Sequence, residues 1–253
     1  MGRLALIWDG TWLTWTTFDA TPDVGRREIS RPHMVQEVLR ALRKQVGAGA
    51  EVLHAEWGQP ATAIPMALMP PTPGAEDVTP LHALHHGRSK AGTRVAVHGL
   101  DGVLDTPWLA LSEDDVWQEA VAHVFPQARP LPLVRVLVHD AIQWHRREAG
   151  EAWTFRADVR PEGALLVGVY GESLQWVHHL SSGCTSEDAL YAMVNAAYRG
   201  GVDVNACRVQ WSGDKSLTQG WDRFVLQTPH PHDSQETPAK SWWSLLSSMN
   251  ACG

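Results

Sequence analysis

The chain has 253 residues, of which 44% are hydrophobic and 19% are charged, and its formal net charge is -7. This balance excludes a disordered polymer and is typical of a globular protein, with enough residues for two packed lobes. Because the net charge is acidic and no block of Lys and Arg falls on a predicted helix face, we do not expect DNA as a partner.

Residues 4–56 predict a three-stranded meander, a helix and a returning strand. The β-prone runs are 4–8, 12–18 and 27–29, and Asp9-Gly10 and the 21–25 segment are predicted as turns between them. A helix then begins with Ser30 as its cap and Pro32 in its first turn, and Gly47 ends it. Residues 51–56 predict a strand that returns beside the first.

The middle of the chain predicts an insertion followed by a connecting helix. A Pro-rich loop at 64–74 precedes a strand at 94–98 and a helix at 113–124. A longer helix at about 133–148 carries Leu133, Leu137 and Ala141 on one stripe, so we expect it to form a spine between the lobes.

The same order of elements recurs after residue 150. Strands are predicted at 153–159, 164–169 and 174–180, a helix is capped by residues 186–188, and a returning strand lies at 207–211. The pattern therefore predicts two copies of a β-β-β-α-β unit. A polar loop at 228–240 and an amphipathic helix complete the chain, with Trp242, Leu245, Leu246 and Met249 on one helical face.

Two tandem β-β-β-α-β units resemble the actin-like, or ribonuclease-H-like, superfamily. Within 167–214, six residues match in order a block of an uncharacterised bacterial family of unknown function: Thr185, Glu187, Asp188, Tyr191, Ser212 and Gly213. The stretches LALIWDGTWLTW, AIPMALMPP and WWSLLSSMNAC also fit that family, so the resemblance covers nearly the whole chain. The family is more distantly similar to actin-like proteins of pilus assembly and cell division.

The resemblance implies a two-lobed α/β fold of the actin-like (ASKHA, ribonuclease-H-like) type with mixed sheets. It implies an N-terminal lobe at 1–150 that carries the Pro-rich loop and the spine helix, and a C-terminal lobe at 151–227. The remaining residues, 228–253, would form a surface loop and a closing helix. In the relatives this helix crosses back to the first lobe, so we expect Trp242 to Ala251 to pack there; a fraying tail is the alternative.

An actin-like ATPase holds its phosphates between two hairpin turns, one per lobe, and an Asp in each lobe orients Mg²⁺. The cleft candidates that correspond to this site are Asp9, Gly10, Thr11, Gly163, Ser212 and Gly213. All of the phosphate-binding elements depart from the ATP-binding pattern. Trp12 follows the first turn, Pro161 removes an amide hydrogen from the second, and Asp214 replaces an expected glycine. We therefore predict that Asp9-Gly10 is a hairpin turn rather than half of a phosphate loop, and we expect no cofactor beyond weak binding of ATP and Mg²⁺.

Other clusters of reactive side chains give weaker signals. His82, His85 and His86 have helical spacing that could present two imidazoles to a metal, but a solvated helix end is the favoured interpretation, and we expect no metal. Residues 181–184 lack the Gly-x-Ser-x-Gly spacing of a nucleophile turn, and we expect no catalytic residue.

Three separated cysteines and the absence of a basic-then-apolar leader predict a cytoplasmic protein, and the apolar runs are too short to span a membrane. The expected function is that of a degenerate actin-like protein, a non-catalytic scaffold or protein-interaction module. Its expected partners are proteins, and the resemblance implies one in RNA processing, since relatives are often encoded beside an RNA methyltransferase. The alternative is an ATP-binding ATPase or kinase-like phosphotransferase that uses Asp9, Thr11 and Gly213.

Overall fold

The structure is a computed structural model that describes residues 2–18, 24–148, 152–214, 216–221, 226–227 and 242–252. Its framework is two five-stranded mixed sheets and one three-stranded antiparallel sheet. The strands of the first lobe and its insertion are β1 (Arg3–Trp8), β2 (Trp12–Thr17), β3 (Val24–Glu28), β4 (Glu51–Glu56), β5 (Ala61–Ile64), β6 (Thr93–Gly99), β7 (Trp108–Asp114) and β8 (Arg129–Pro130). Those of the second lobe are β9 (Thr154–Arg160), β10 (Gly163–Tyr170), β11 (Ser173–Leu180), β12 (Arg208–Gly213) and β13 (Leu226–Gln227).

The helices connect and cover these sheets. They are α1 (Pro32–Val46), α2 (Ala75–His86), α3 (Asp115–Val124), α4 (Leu133–Glu148), α5 (Ser186–Arg199) and α6 (Trp243–Cys252). Short 3-10 turns lie at Met66–Leu68 and Val204–Ala206.

The two large sheets have the same topology. The first has the strand order β3-β2-β1-β4-β8 and the second has the order β11-β10-β9-β12-β13. In each sheet the first three strands of the unit are antiparallel, and the fourth runs parallel to the first. The predicted duplication of a β-β-β-α-β unit is therefore confirmed.

The insertion between β4 and α3 is a sheet of its own, with the order β5-β7-β6. The sequence pattern predicted a strand at β6, but it predicted that the helix begins at Glu113. Instead, β7 continues through Asp114, whose Oδ1 then caps α3 by accepting the amides of Val116 at 2.8 Å and Trp117 at 3.2 Å.

Two predicted helix caps need correction. The residue before α1 is Arg31, with no side-chain cap, so Ser30 does not have the predicted role. At α5 the cap is Thr185, one residue earlier than predicted. Its Oγ1 accepts the Asp188 amide at 3.2 Å, and Asp188 Oδ2 accepts the Thr185 amide at 2.8 Å, which is a capping box. The predicted turn at 21–25 lies mostly outside the described residues.

The elements stack in layers that leave two helices between the large sheets. Helices α1 and α3 cover the outer face of the first sheet, and α5 covers the outer face of the second. Helices α4 and α6 share one apolar core with the inner faces of both sheets. Alternation along the strands produces this arrangement, since side chains of one strand point in turn to its two faces.

The closing helix α6 is tied to the first lobe by polar contacts as well as by burial. Arg3 on β1 donates through Nη1 to the backbone oxygen and to Oδ1 of Asn250, both at 2.8 Å. On the other side, Ser248 Oγ donates to Asp140 Oδ2 on α4 at 2.8 Å. The helix therefore places Trp242, just before its first turn, at the junction of the lobes.

Candidate functional site

The β1–β2 turn is stabilised by the side chain of its own aspartate. Asp9 Oδ1 accepts the backbone amides of Thr11 at 2.9 Å and Trp12 at 2.6 Å, and Gly10 has a φ of +92° that suits a glycine. Because a carboxylate already accepts both, the turn presents negative charge rather than free donors.

Arg26 joins this turn to the corresponding turn of the second lobe. Its Nη2 lies 3.4 Å from Asp9 Oδ2 and also donates to the carboxylate of Glu162, in the β9–β10 turn. The side chains of Arg26, Asp9 and Glu162 are 14%, 6% and 24% exposed, so the contact is largely shielded from water. We call these three residues the interlobe bridge.

Tryptophan rings and a second arginine fill the space behind the interlobe bridge. The Arg26 guanidinium carbon lies 4.8 Å from the centre of the Trp12 ring and 5.6 Å from that of Trp242. Arg160 stacks on the same Trp242 ring at 3.8 Å, and Trp57 meets it edge to face at 5.3 Å. Such cation–π contacts are strengthened by desolvation, and Trp242 is only 1% exposed.

A buried charge network continues from Arg160 into the second sheet. Arg160 donates two hydrogen bonds to the Asp158 carboxylate, from Nε to Oδ1 and from Nη2 to Oδ2 at 3.0 Å. Ser212 Oγ donates to Asp158 Oδ2 at 2.6 Å and accepts from Arg156 Nη2 at 2.8 Å. Because these four side chains are at most 2% exposed, the Asp158 carboxylate is held inside the fold by Arg160 and Ser212. Arg156 Nε also lies 3.7 Å from Asp140 Oδ2 on α4.

At each of the two candidate glycines of the second lobe, the backbone lies close to a carbonyl group of another residue. Gly163 has a φ of +135°, and a Cβ there would overlap the carbonyl oxygen of Leu180. Gly213 has a φ of +105°, and a Cβ there would overlap the carbonyl oxygen of Val159 on the neighbouring strand. Both positions therefore require glycine for packing.

The predicted cleft residues thus fall into two groups. Asp9, Gly10 and Thr11 form one turn, and the Arg26–Glu162 contact links it to the turn that ends at Gly163. Ser212 and Gly213 lie at the end of β12, inside the second sheet. The sequence did not indicate that Arg26, Trp57, Arg156 and Arg160 belong to this region, and it placed Trp242 only on the closing helix. A signal existed in β9, where Arg156, Asp158 and Arg160 alternate with apolar residues on a strand that is buried on both faces.

A separate cavity of about 430 Å³ opens beside Asp9. Its walls are the β1–β2 turn, the segment 56–60 after β4 and the loop 86–90 after α2, which brings Arg88 and Lys90 to the cavity. Glu56 lines it, and burial raises the pKa of this carboxyl to about 7. The Glu56 oxygens accept the Asp114 amide at 3.0 Å and Gln118 Nε2 at 2.8 Å.

The histidine cluster of α2 is only partly the predicted solvated helix end: His85 and His86 are exposed in its last turn, as predicted, whereas His82 is buried. His82 is 2% exposed, and its ring nitrogens lie 2.9 Å from Thr62 Oγ1 and 2.9 Å from Ser112 Oγ. Burial lowers its pKa to about 4, so the ring is a neutral link between α2 and the inserted sheet. No group of three side chains suited to a metal occurs within the described ranges. In the same ranges, each helix is too short or too polar to cross a bilayer.

Comparison with known proteins shows the fold. The sequence matches no protein-family profile and no curated protein. A structure from Bacteroides thetaiotaomicron, described as a protein with an actin-like ATPase fold and unknown function, is similar over 97% of this chain and 95% of that one, at 12% identity and a TM-score of 0.71.

Two further structures come from secretion and pilus systems. The PilM-PilN type IV pilus biogenesis complex has 11% identity and a TM-score of 0.55, with 98% of this chain and 97% of that one covered. The cytoplasmic domain of EpsL, an inner membrane component of the type II secretion system of Vibrio cholerae, has 11% identity and a TM-score of 0.52, with 100% and 96% covered. The predicted actin-like fold is confirmed.

Proposed function

We propose that this protein, built on an actin-like fold, is a non-catalytic scaffold or protein-interaction module whose interlobe cleft is closed by its own side chains. One observation carries the proposal: Arg26 spans the two turns, from Asp9 in one lobe to Glu162 in the other. A two-lobed body with a filled cleft offers its surfaces, rather than a ligand site, as its means of recognition.

The chemistry of the cleft opposes a bound triphosphate. The amides of Thr11 and Trp12 already donate to Asp9, so a phosphate would have to displace a carboxylate within the same turn. The Glu162 carboxylate in the second turn would repel the phosphate charge. The cation between the turns is Arg26, and it is neutralised by these two carboxylates.

Two of the similar structures support protein partners, because one is a complex of PilM with PilN and the other is a component of a secretion system. We propose that the present chain likewise binds a protein partner and that it does so in the cytoplasm. An RNA-processing protein is the partner that the sequence resemblance favours.

The second candidate function is ATP binding or kinase-like phosphotransfer through Asp9, Thr11 and Gly213. The cavity of about 430 Å³ beside Asp9 favours it, since a pocket of this size suits a small ligand. Burial raises the pKa of Glu56, which lines that cavity, to about 7, and such shifted groups are common at functional sites.

Isothermal titration calorimetry with Mg-ATP separates the two functions. For the scaffold we expect no saturable heat up to about 1 mM ATP, which corresponds to roughly -4 kcal/mol. Saturable binding below that concentration that disappears in Asp9→Ala would establish the nucleotide site instead. Under the scaffold proposal, Asp9→Ala has a different effect: it lowers the melting temperature, because two turn amides lose their acceptor and Arg26 loses one of its two carboxylates.

A further inference from the structure

The outer face of α5 carries an unusual concentration of exposed aromatic surface. The chain has 3 tyrosines, and two of them, Tyr191 and Tyr198, lie on this helix with 71% and 79% of their surface exposed. Val194 between them is 36% exposed. The opposite side of α5 is buried against the second sheet. We call Tyr191, Val194 and Tyr198 the tyrosine face.

The spacing of the tyrosine face makes it a continuous stripe. Residues at i, i+3 and i+7 lie on one side of an α-helix, and at 1.5 Å per residue Tyr191 and Tyr198 are about 10 Å apart along the axis. Aromatic side chains that form an exposed patch of this kind are a mark of a protein interface.

Charged residues flank the tyrosine face at its two ends. Asp188 lies in the first turn of α5, and Arg199 is its last residue; both are exposed. They are eleven positions apart, and since a helix turns about 100° per residue, they project from the same flank of the stripe. The face therefore has a negative end and a positive end on one side.

This arrangement is complementary to itself when a second α5 runs antiparallel. With a two-fold axis through Val194, Tyr191 lies opposite Tyr198 of the partner subunit. Arg199 then lies within about 1.5 Å, measured along the axis, of Asp188 of the partner subunit, on the same flank. In a parallel pair the two-fold axis would instead run along the helices and put the charges of the two copies on opposite flanks, where Arg199 has no partner of opposite charge. We propose that two copies of this chain associate through antiparallel α5 helices, with Val194 on the two-fold axis.

The size of the tyrosine face predicts weak, reversible association. A buried tyrosine removes about 150–250 Å² from water, so four tyrosines and two valines give an interface on the low side of the usual range. We expect a dimer with a dissociation constant on the order of micromolar.

Sedimentation velocity of the full chain, from about 1 µM to about 100 µM, tests the proposal. The sedimentation coefficient should rise with concentration from monomer to dimer. Val194→Glu places two carboxylates on the axis and should keep the chain monomeric throughout. The matched control is Leu84→Glu on α2, where an 80% exposed apolar side chain is also replaced by a charge, and dimerisation should persist.

Disulfide formation tests the two-fold symmetry of the proposed dimer directly. A residue on a two-fold axis faces its own copy, so Val194→Cys should form an intersubunit disulfide under mild oxidation, whereas Leu84→Cys should not. Arg199→Glu and high salt should both weaken the dimer, because they remove the flanking ion pair. A wild-type chain that stays monomeric at every concentration overturns the proposal and leaves the face to a different protein. A dimer that survives Val194→Glu overturns it as well.

Discussion

Replacement of Arg26 by methionine tests the interlobe bridge, because methionine keeps much of the apolar stem and removes the charge. The guanidinium contacts two largely shielded carboxylates and the rings of Trp12 and Trp242. A hydrogen bond to a charged group contributes about 1.5–3 kcal/mol, and a partly desolvated cation–π contact about 1 kcal/mol. We therefore expect Arg26→Met to lower the free energy of unfolding by roughly 3 kcal/mol, with Asp9 and Glu162 left unpaired.

Thermal and urea denaturation measure this effect. For a chain of this length, roughly 3 kcal/mol corresponds to a decrease of about 6–12 °C in melting temperature. Arg27→Met, at the next and exposed position of β3, is the matched control and should change stability by less than about 0.5 kcal/mol. Arg26→Lys should fall between the two, since lysine keeps the charge but lacks the planar fork. If Arg26→Met were as stable as Arg27→Met, Arg26 would not hold the lobes together.

Three other outcomes follow from particular side chains. Gly213→Ala should cost more than about 2 kcal/mol, because its Cβ overlaps Val159, whereas Gly10→Ala, where the described atoms leave space, should cost about 1 kcal/mol; chemical denaturation compares them. Burial lowers the pKa of His54 to about 4, so about 3 kcal/mol of stability is present above pH 6.5 and is lost as the pH falls to 4, as acid titration of stability should show. Because the pKa of Glu56 is raised to about 7, its ionisation lowers the stability of the fold as the pH rises from 4.5 to 7. On acidification this group therefore offsets part of the loss caused by His54, and Glu56→Gln should make that loss steeper in the same titration.

Local sequence patterns were sufficient to predict the duplicated β-β-β-α-β unit, because its strands, turns and helices are determined by residues that are neighbours in the chain. Asp9-Gly10 between β-formers marked the first hairpin, and the apolar spacing of α1 and α5 marked the helices. The inserted sheet was only partly predicted, because β5 and β7 are paired across a long stretch that includes α2. Pairing over such a separation has no local signature.

The candidate site was predicted less completely than the fold. The sequence indicated the two turns, but not the side chains that lie between them. Trp242 and Arg160 are far apart in the chain, and their stacking depends on where α6 packs. Arg26 on the edge strand β3 gave no sign of its contact with Glu162, because a charged residue on an edge strand is usually solvated. These contacts are tertiary and arise only when the two lobes meet.

Under the proposed function, side chains of this protein occupy the position a nucleotide would take between the two turns. A crystal structure of the purified protein grown with excess Mg-ATP tests it most directly. We expect density for Arg26 in contact with Asp9 and Glu162, with the Trp242 ring behind it. Triphosphate density between the Asp9 turn and the Glu162 turn, with Arg26 displaced, would contradict the account.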